Sequence, residues 1–208
     1  MKTLLFSLLM LCGAGISNGT VSSPNPGGIS VLTINAASST IDWKAEKTTG
    51  KHNGTIKIRS GSLTLRCAQL ASGSVFIDMN SINVADLSGP DKGKLENNLK
   101  GDNFFDTGKF PLAKLDIISV NYKSVPVHHF ITILGNLNLH GVTKQVIFTA
   151  DVSKSTYDDF TAQADMIINR RDFGIATSNI KYDTFIDKSI HLHILLQASK
   201  VKEQVTSL

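Results

Sequence analysis

Six histidines, two cysteines and seventeen acidic residues are the groups from which a catalytic or metal centre would have to be built. His191 and His193 stand two apart, so on a strand they share one face. Zinc needs three or four such ligands converging, and a single His-x-His pair is read as a solvated exterior. His128 and His129 are adjacent and point opposite ways in an extended chain. Asp158 and Asp159 are chain neighbours, not a facing carboxylate pair, and no Ser sits in a nucleophile elbow. Cys67 has no assignable His or acid partner and reads as a small apolar residue in a strand or its turn. His140, at a strand end before Gly141-Val142-Thr143, reads as a turn residue. Arg170 and Arg171 flank a turn, where they either pair with Asp172 or Asp165 or face a polar head group; the pairing is favoured. Asn53-Gly54-Thr55 is a glycosylation sequon that matters only in a eukaryotic secretory route. These residues give no catalytic residue, no metal site and no cofactor, and the expectation is a protein that is not an enzyme.

The elements that position these residues come from the apolar pattern. The chain has 208 residues, 41% hydrophobic and 18% charged, with a net charge of +4. That is one folded domain and not a disordered chain. No run of Lys and Arg interleaves with aromatics, which argues against nucleic acid as a partner. A pI of about 9.0 is compatible with transient contact with an anionic membrane surface.

Residues 1–19 read as a secretory signal. Lys2 supplies the positive start and residues 4–11 the apolar stretch, too short to span a membrane. Cys12 raises lipid anchoring, but the bulky Leu11 stands where a small residue belongs. Once the signal is cleaved, Cys67 is the remaining thiol and no internal disulfide forms. Residues 20–37, rich in Ser, Pro, Gly and Asn, read as a flexible leader. Residues 38–200 carry the domain and residues 201–208 a tail.

From about Thr40 the pattern has period two. A first strand is expected around residues 41–45. Ile56 and Ile58 share a face, and after Gly61 the pattern resumes at Leu63 and Leu65 in shifted phase, which predicts a bulge or bend. Ile77 and Met79, Leu137 and Leu139, Phe148, and Met166 fall on the inward faces of later strands and are candidate wall residues. One segment reads as a helix: Ser88, Gly89, Pro90 and Asp91 offer a start, Leu95 and Leu99 share a face, and Gly101 can end it. Phe104, Phe105 and Phe110 follow on a connection; they either contact an apolar ligand or fill the core beneath the helix. Phe173 is open in the same way, and Trp43 is assigned to the core. About eight strands and one helical connection predict an all-β, eight-stranded antiparallel barrel. A β-sandwich is the structural rival. Such a barrel either fills with side chains or holds one ligand; the small apolar inward residues favour a greasy cavity.

Several segments in order carry a resemblance: Ile41-Asp42-Trp43, Lys51-His52-Asn53-Gly54-Thr55, Ile77-Asp78-Met79-Asn80-Ser81-Ile82 and Lys94-Leu95-Glu96-Asn97-Asn98-Leu99-Lys100. Asp102-Asn103-Phe104-Phe105-Asp106 follows, then Gly135-Asn136-Leu137-Asn138-Leu139-His140-Gly141-Val142-Thr143-Lys144, and Arg170-Arg171-Asp172-Phe173-Gly174-Ile175. Over about residues 39–198 the chain resembles the YceI-like family of secreted, polyisoprenoid-binding proteins. The resemblance implies a lipocalin-like barrel in the periplasm, without catalytic activity. Its tunnel would take a polyisoprenoid, an isoprenoid quinone or a fatty-acid derivative for transport or storage. It also implies a homodimer as a plausible assembly. Asn98 stands where relatives often carry His, and the segment after Gly174 is short beside many of them. The head group is expected near residues 95–111. The alternatives are a filled barrel serving as a stress or interaction module, and a metal-dependent enzyme using His191 and His193.

Overall fold

The computed structural model describes residues 28–47, 50–122, 130–175 and 186–201. The signal assigned to residues 1–19 with Cys12, most of the tail after Val201, His128 and His129, and the short segment after Gly174 lie outside the described residues, Ile175 apart.

Among the described residues nine strands and one α-helix follow in order: β1 Ile29–Ile34, β2 Thr40–Lys47, β3 Gly50–Arg66, β4 Gln69–Val84, α1 Gly89–Lys100, β5 Leu112–Tyr122, β6 Phe130–Leu139, β7 Val142–Ser155, β8 Asp159–Asn169 and β9 Ile186–Ser199. Every ladder is antiparallel, and β4 pairs with β3 as well as β5, so the sheet closes on itself. Closure leaves no long free edge and gives every strand one inward face. In β6 that alternation is unbroken, with Ile131, Ile133, Gly135, Leu137 and Leu139 inward.

The nine strands make eight staves. Both β1 and β2 lie between β3 and β9: β1 pairs Ile29 to Thr33 with Arg66 to Ser62, and β2 pairs Ile41 to Lys47 with Ile56 to Gly50. They are two pieces of one stave broken at residues 35–39. The break is satisfied locally. Asn35 accepts the N–H groups of Ala37 and Ser38 through Oδ1, at 3.1 and 3.3 Å. Ser39 Oγ accepts the Gln197 N–H at 3.0 Å in place of a backbone carbonyl, and donates at 3.3 Å to the Gln197 carbonyl, which also accepts the Asn35 N–H at 2.8 Å.

Of the leader expected over residues 20–37, residues 20–27 lie outside the described residues, and the rest is corrected: Ile29–Ile34 form strand β1. In β1 Leu32 and Ile34 are buried while Ile29 and Val31 face out, so apolar residues on both faces mask the period-two pattern. The phase shift in β3 is present as expected. Ile58 is inward, the register slips between Ile58 and Ser60, and Leu63 and Leu65 are inward beyond it. A Cβ on Gly61 would stand 2.5 Å from the Ser74 carbonyl oxygen, so the bend requires glycine there.

A second kink lies in β4. Against one residue of β3, Ile56, the strand places residues 79–82. Ser81 Oγ donates to the Asp78 carbonyl at 2.6 Å and accepts the Lys57 N–H at 2.7 Å, while Asp78 Oδ1 takes the Asn80 N–H at 3.0 Å. Beyond this kink β4 has no partner in β5, whose pairing ends at Asp78 and Leu112. Helix α1 takes the vacant place. It begins with Pro in its first turn and ends at Gly101, as its sequence predicts. None of its residues is fully buried, but Leu95 and Leu99 pack on the core.

Candidate binding cavity

The two ends of the barrel are built differently. At the end formed by the β3–β4 and β7–β8 turns, Leu32, Ile34, Leu65, Ile131, Val152 and Ala198 are buried and lie outside the cavity lining. At the α1 end the interior is hollow, with a cavity of about 140 Å³. No polar atom contributes to its wall. On β8 the wall runs from Phe160 to Ile168, roughly 20 Å along the axis for a strand rising ~3.3 Å per residue and tilted about 40°. An apolar cavity of about 150 Å³ in another protein stays dry and binds benzene. Leaving such a volume empty costs roughly 3 kcal/mol at ~24 cal/mol per Å³.

Of the residues expected on the wall, Ile77, Met79, Leu137, Leu139, Phe148 and Met166 line the cavity from four strands. Leu99 reaches it from α1, and Phe104 and Phe105 from the connection after the helix. That connection folds back on the helix end: the N–H of Phe105 bonds the Leu99 carbonyl at 3.0 Å, and the N–H of Thr107 bonds that of Lys100 at 2.9 Å. The Phe104 and Phe105 rings meet edge to face, 4.9 Å between centroids.

Phe110 and Phe173 do not line the cavity. The Phe110 ring packs on the His140 imidazole at 4.6 Å, outside the barrel interior. Phe173 is buried in the 3-10 turn Arg170–Phe173, and its carbonyl lies 3.2 Å from His140 Nδ1. Both stand outside the lining, and of the two readings left open for them core packing is the one seen for Phe173; a loop aromatic has no strand face to betray its direction. His140 has φ 53° and does serve a turn. Trp43, assigned to the core, is buried and also lines the cavity; its indole N–H has no hydrogen-bond partner among the described residues. Ala162, Ala164, Ile190 and Phe160 are among the further lining residues, and Gln163 belongs to the lining too, with no polar atom exposed to the hollow. The two alanines were the available signal, since small inward residues are where a barrel leaves space.

Charge is kept at the rim. Arg170 is fully buried, donating from Nε to the Asp187 carbonyl at 3.1 Å and from a terminal nitrogen to that of Ile175 at 2.9 Å. Its guanidinium stands 5.7 Å from the Phe104 ring centre. The residue thus ties the turn, the start of β9 and a wall aromatic together. Asn98 is exposed on α1, while its neighbour Leu99 meets the cavity. Cys67 is exposed in the β3–β4 turn at φ 48°. His193 Nδ1 lies 2.8 Å from Asp165 Oδ1 on the outer surface, and His191 is exposed beside it. Among the described residues no three His, Cys, Asp or Glu side chains converge on a metal position.

The sequence profile of the YceI-like domain matches residues 32–198. The chain belongs to the YceI-like family. A UPF0312 protein of Shewanella denitrificans is 28% identical over 138 residues, covering 61% of this chain and 69% of its own. Two solved structures share the fold. BcnA of Burkholderia cenocepacia superposes with a TM-score of 0.66 at 18% identity, covering 80% of this chain and 99% of its own. A polyisoprenoid-binding domain from Saccharophagus degradans, implicated in plant cell wall breakdown, gives 0.60 at 16% identity, covering 84% and 99%.

Proposed function

We propose that this protein binds a long apolar lipid, a polyisoprenoid, isoprenoid quinone or fatty-acid derivative, with its hydrocarbon chain inside the barrel, and carries or stores it in the periplasm. One observation carries the reading: a hollow half-barrel whose wall has no polar atom. Burying hydrocarbon there gains about 0.8 kcal/mol for each CH₂ removed from water. Binding needs shape and apolar surface, with no catalytic group at the wall. The similarity to a polyisoprenoid-binding domain points the same way. Export rests on the charged start and apolar stretch of residues 1–19. A homodimer and transient membrane contact belong to the same proposal; Ile147 and Ile167, exposed on the adjacent strands β7 and β8, supply an apolar exterior for them. The test is uptake of an isoprenoid quinone from vesicles by the purified protein, with Leu137→Trp as the filled-cavity control. Uptake by the natural protein and none by a folded Leu137→Trp is the expected result; equal uptake by both removes the cavity as the site.

A further inference from the structure

The hollow and packed halves of the barrel meet along pairs of cross-strand neighbours. Leu63 lines the cavity, and its partner Leu32 across the β1–β3 ladder does not. Leu70 lines it, and its partner Leu65 on β3 does not. Phe160 lines it, and its partner Ala198 on β9 does not. Leu32 and Leu65 are completely buried. At three places around the barrel the boundary thus falls between one residue and the next, which makes a floor and not a gradual taper. Phe160 is the largest side chain of that floor, and it is 2% exposed. Next along the same face of β8 stand Ala162 and Ala164, whose small side chains leave the space before it open.

We infer that Phe160 is a chain-length stop: the far end of the bound hydrocarbon abuts its ring, and the protein selects ligands by the length of their apolar tail. This rests on the lipid-binding reading above. Gln163 belongs to the lining but no polar atom is exposed to the hollow, so the part of the ligand reaching the floor is hydrocarbon; a polar group there would give up water for nothing. The head group stays at the α1 end, outside the apolar wall. A tail shorter than the hollow leaves void beneath it, and void costs lost contacts. A tail longer than the hollow keeps its surplus in water, because Leu32, Leu65 and Ala198, buried beyond the lining, occupy the space it would need. Affinity therefore climbs with tail length until the floor is reached and climbs no further.

The experiment titrates the purified full chain with all-trans prenols of increasing length, from geraniol through farnesol to geranylgeraniol, because a hollow of about 140 Å³ sets the limit among short tails. It compares the natural protein, Phe160→Ala and Ala162→Leu. In the natural protein each added isoprene unit raises affinity roughly tenfold or more up to a limiting length. Phe160→Ala deepens the hollow and moves that limit about one unit longer, for a ring-sized space. Ala162→Leu fills existing space, so its fold is not at risk, and moves the limit shorter. A limit at the same length in the natural protein and Ala162→Leu overturns the floor assignment, whether or not Phe160→Ala folds. A natural protein that takes up no prenol of any length shows a different failure, that of the lipid-binding reading, and the inference falls with it.

Discussion

Glu96 accepts the backbone N–H of Val84 at 2.9 Å, and so a helix side chain does the work of a missing strand. One turn earlier Lys92 gives its ammonium to the Val84 carbonyl at 2.7 Å, and the two side chains stand 3.4 Å apart. Past its kink β4 has lost β5, and buried backbone groups without partners are costly. The pair on α1 satisfies both groups of Val84 and thereby holds the helix, with Leu99, over the cavity.

Glu96→Ala should destabilise the protein by about 1–2 kcal/mol, since it leaves the Val84 N–H without an acceptor. Urea unfolding measures this, and amide exchange in residues 89–100 should accelerate more than exchange in β6. Glu96→Gln keeps an acceptor and should cost less. Unchanged exchange in α1 with Glu96→Ala would show that the helix is held by Leu95 and Leu99 alone.

The same contact has a pH signature. The Val84 N–H, outweighing partial burial and aided by Lys92, holds the Glu96 carboxyl below its ordinary value of 4.5. A depressed folded value means the contribution is fully present above pH 4.5 and is lost as pH falls through the folded value. The Asp86 carboxyl behaves likewise: burial pushes it up, but the Asn53 N–H and His52 outweigh this and hold it below 3.8. Acid unfolding curves of the natural protein and Glu96→Gln should converge as pH falls below 4.5. Curves that stay parallel down to acid unfolding would separate Glu96 from the acid sensitivity.

Trp43 is the sole tryptophan and lies on the cavity wall. Its emission should be blue-shifted, and a prenyl quinone taken into the barrel should quench it strongly. Saturable quenching by the quinone, absent with Leu137→Trp Trp43→Phe as the blank for added indole, is the expected result. Emission indifferent to saturating quinone would place the ligand away from this wall.

Arg170→Ala should cost about 2–4 kcal/mol, because two buried carbonyls, of Asp187 and Ile175, lose their donor. Phe104 loses the cation beside its ring as well. Thermal unfolding checks the loss; a change below half a kcal/mol would show that the turn is held elsewhere.

Strand periodicity made the barrel legible, because alternation such as Ile131 to Leu139 has few other solutions. It also delivered the wall residues on strands. What it could not show was which half is hollow: Leu65 and Leu63 share one inward face, yet one is packed away and the other lines the cavity. That difference is set by cross-strand neighbours far apart in the chain. Strand β1 was hidden by its outward Ile29 and Val31, and the Lys92–Glu96 pair looks like any surface pair one helical turn apart until Val84 is placed between them.

The hollow of the barrel is proposed to hold an apolar lipid. Native mass spectrometry of the purified protein, followed by organic extraction of what it releases, tests it most directly. A single stoichiometric apolar mass, isoprenoid or fatty-acyl, that is absent from Leu137→Trp is the predicted result. A protein that carries no lipid, and takes up none from added isoprenoid quinone or fatty amide, would contradict it.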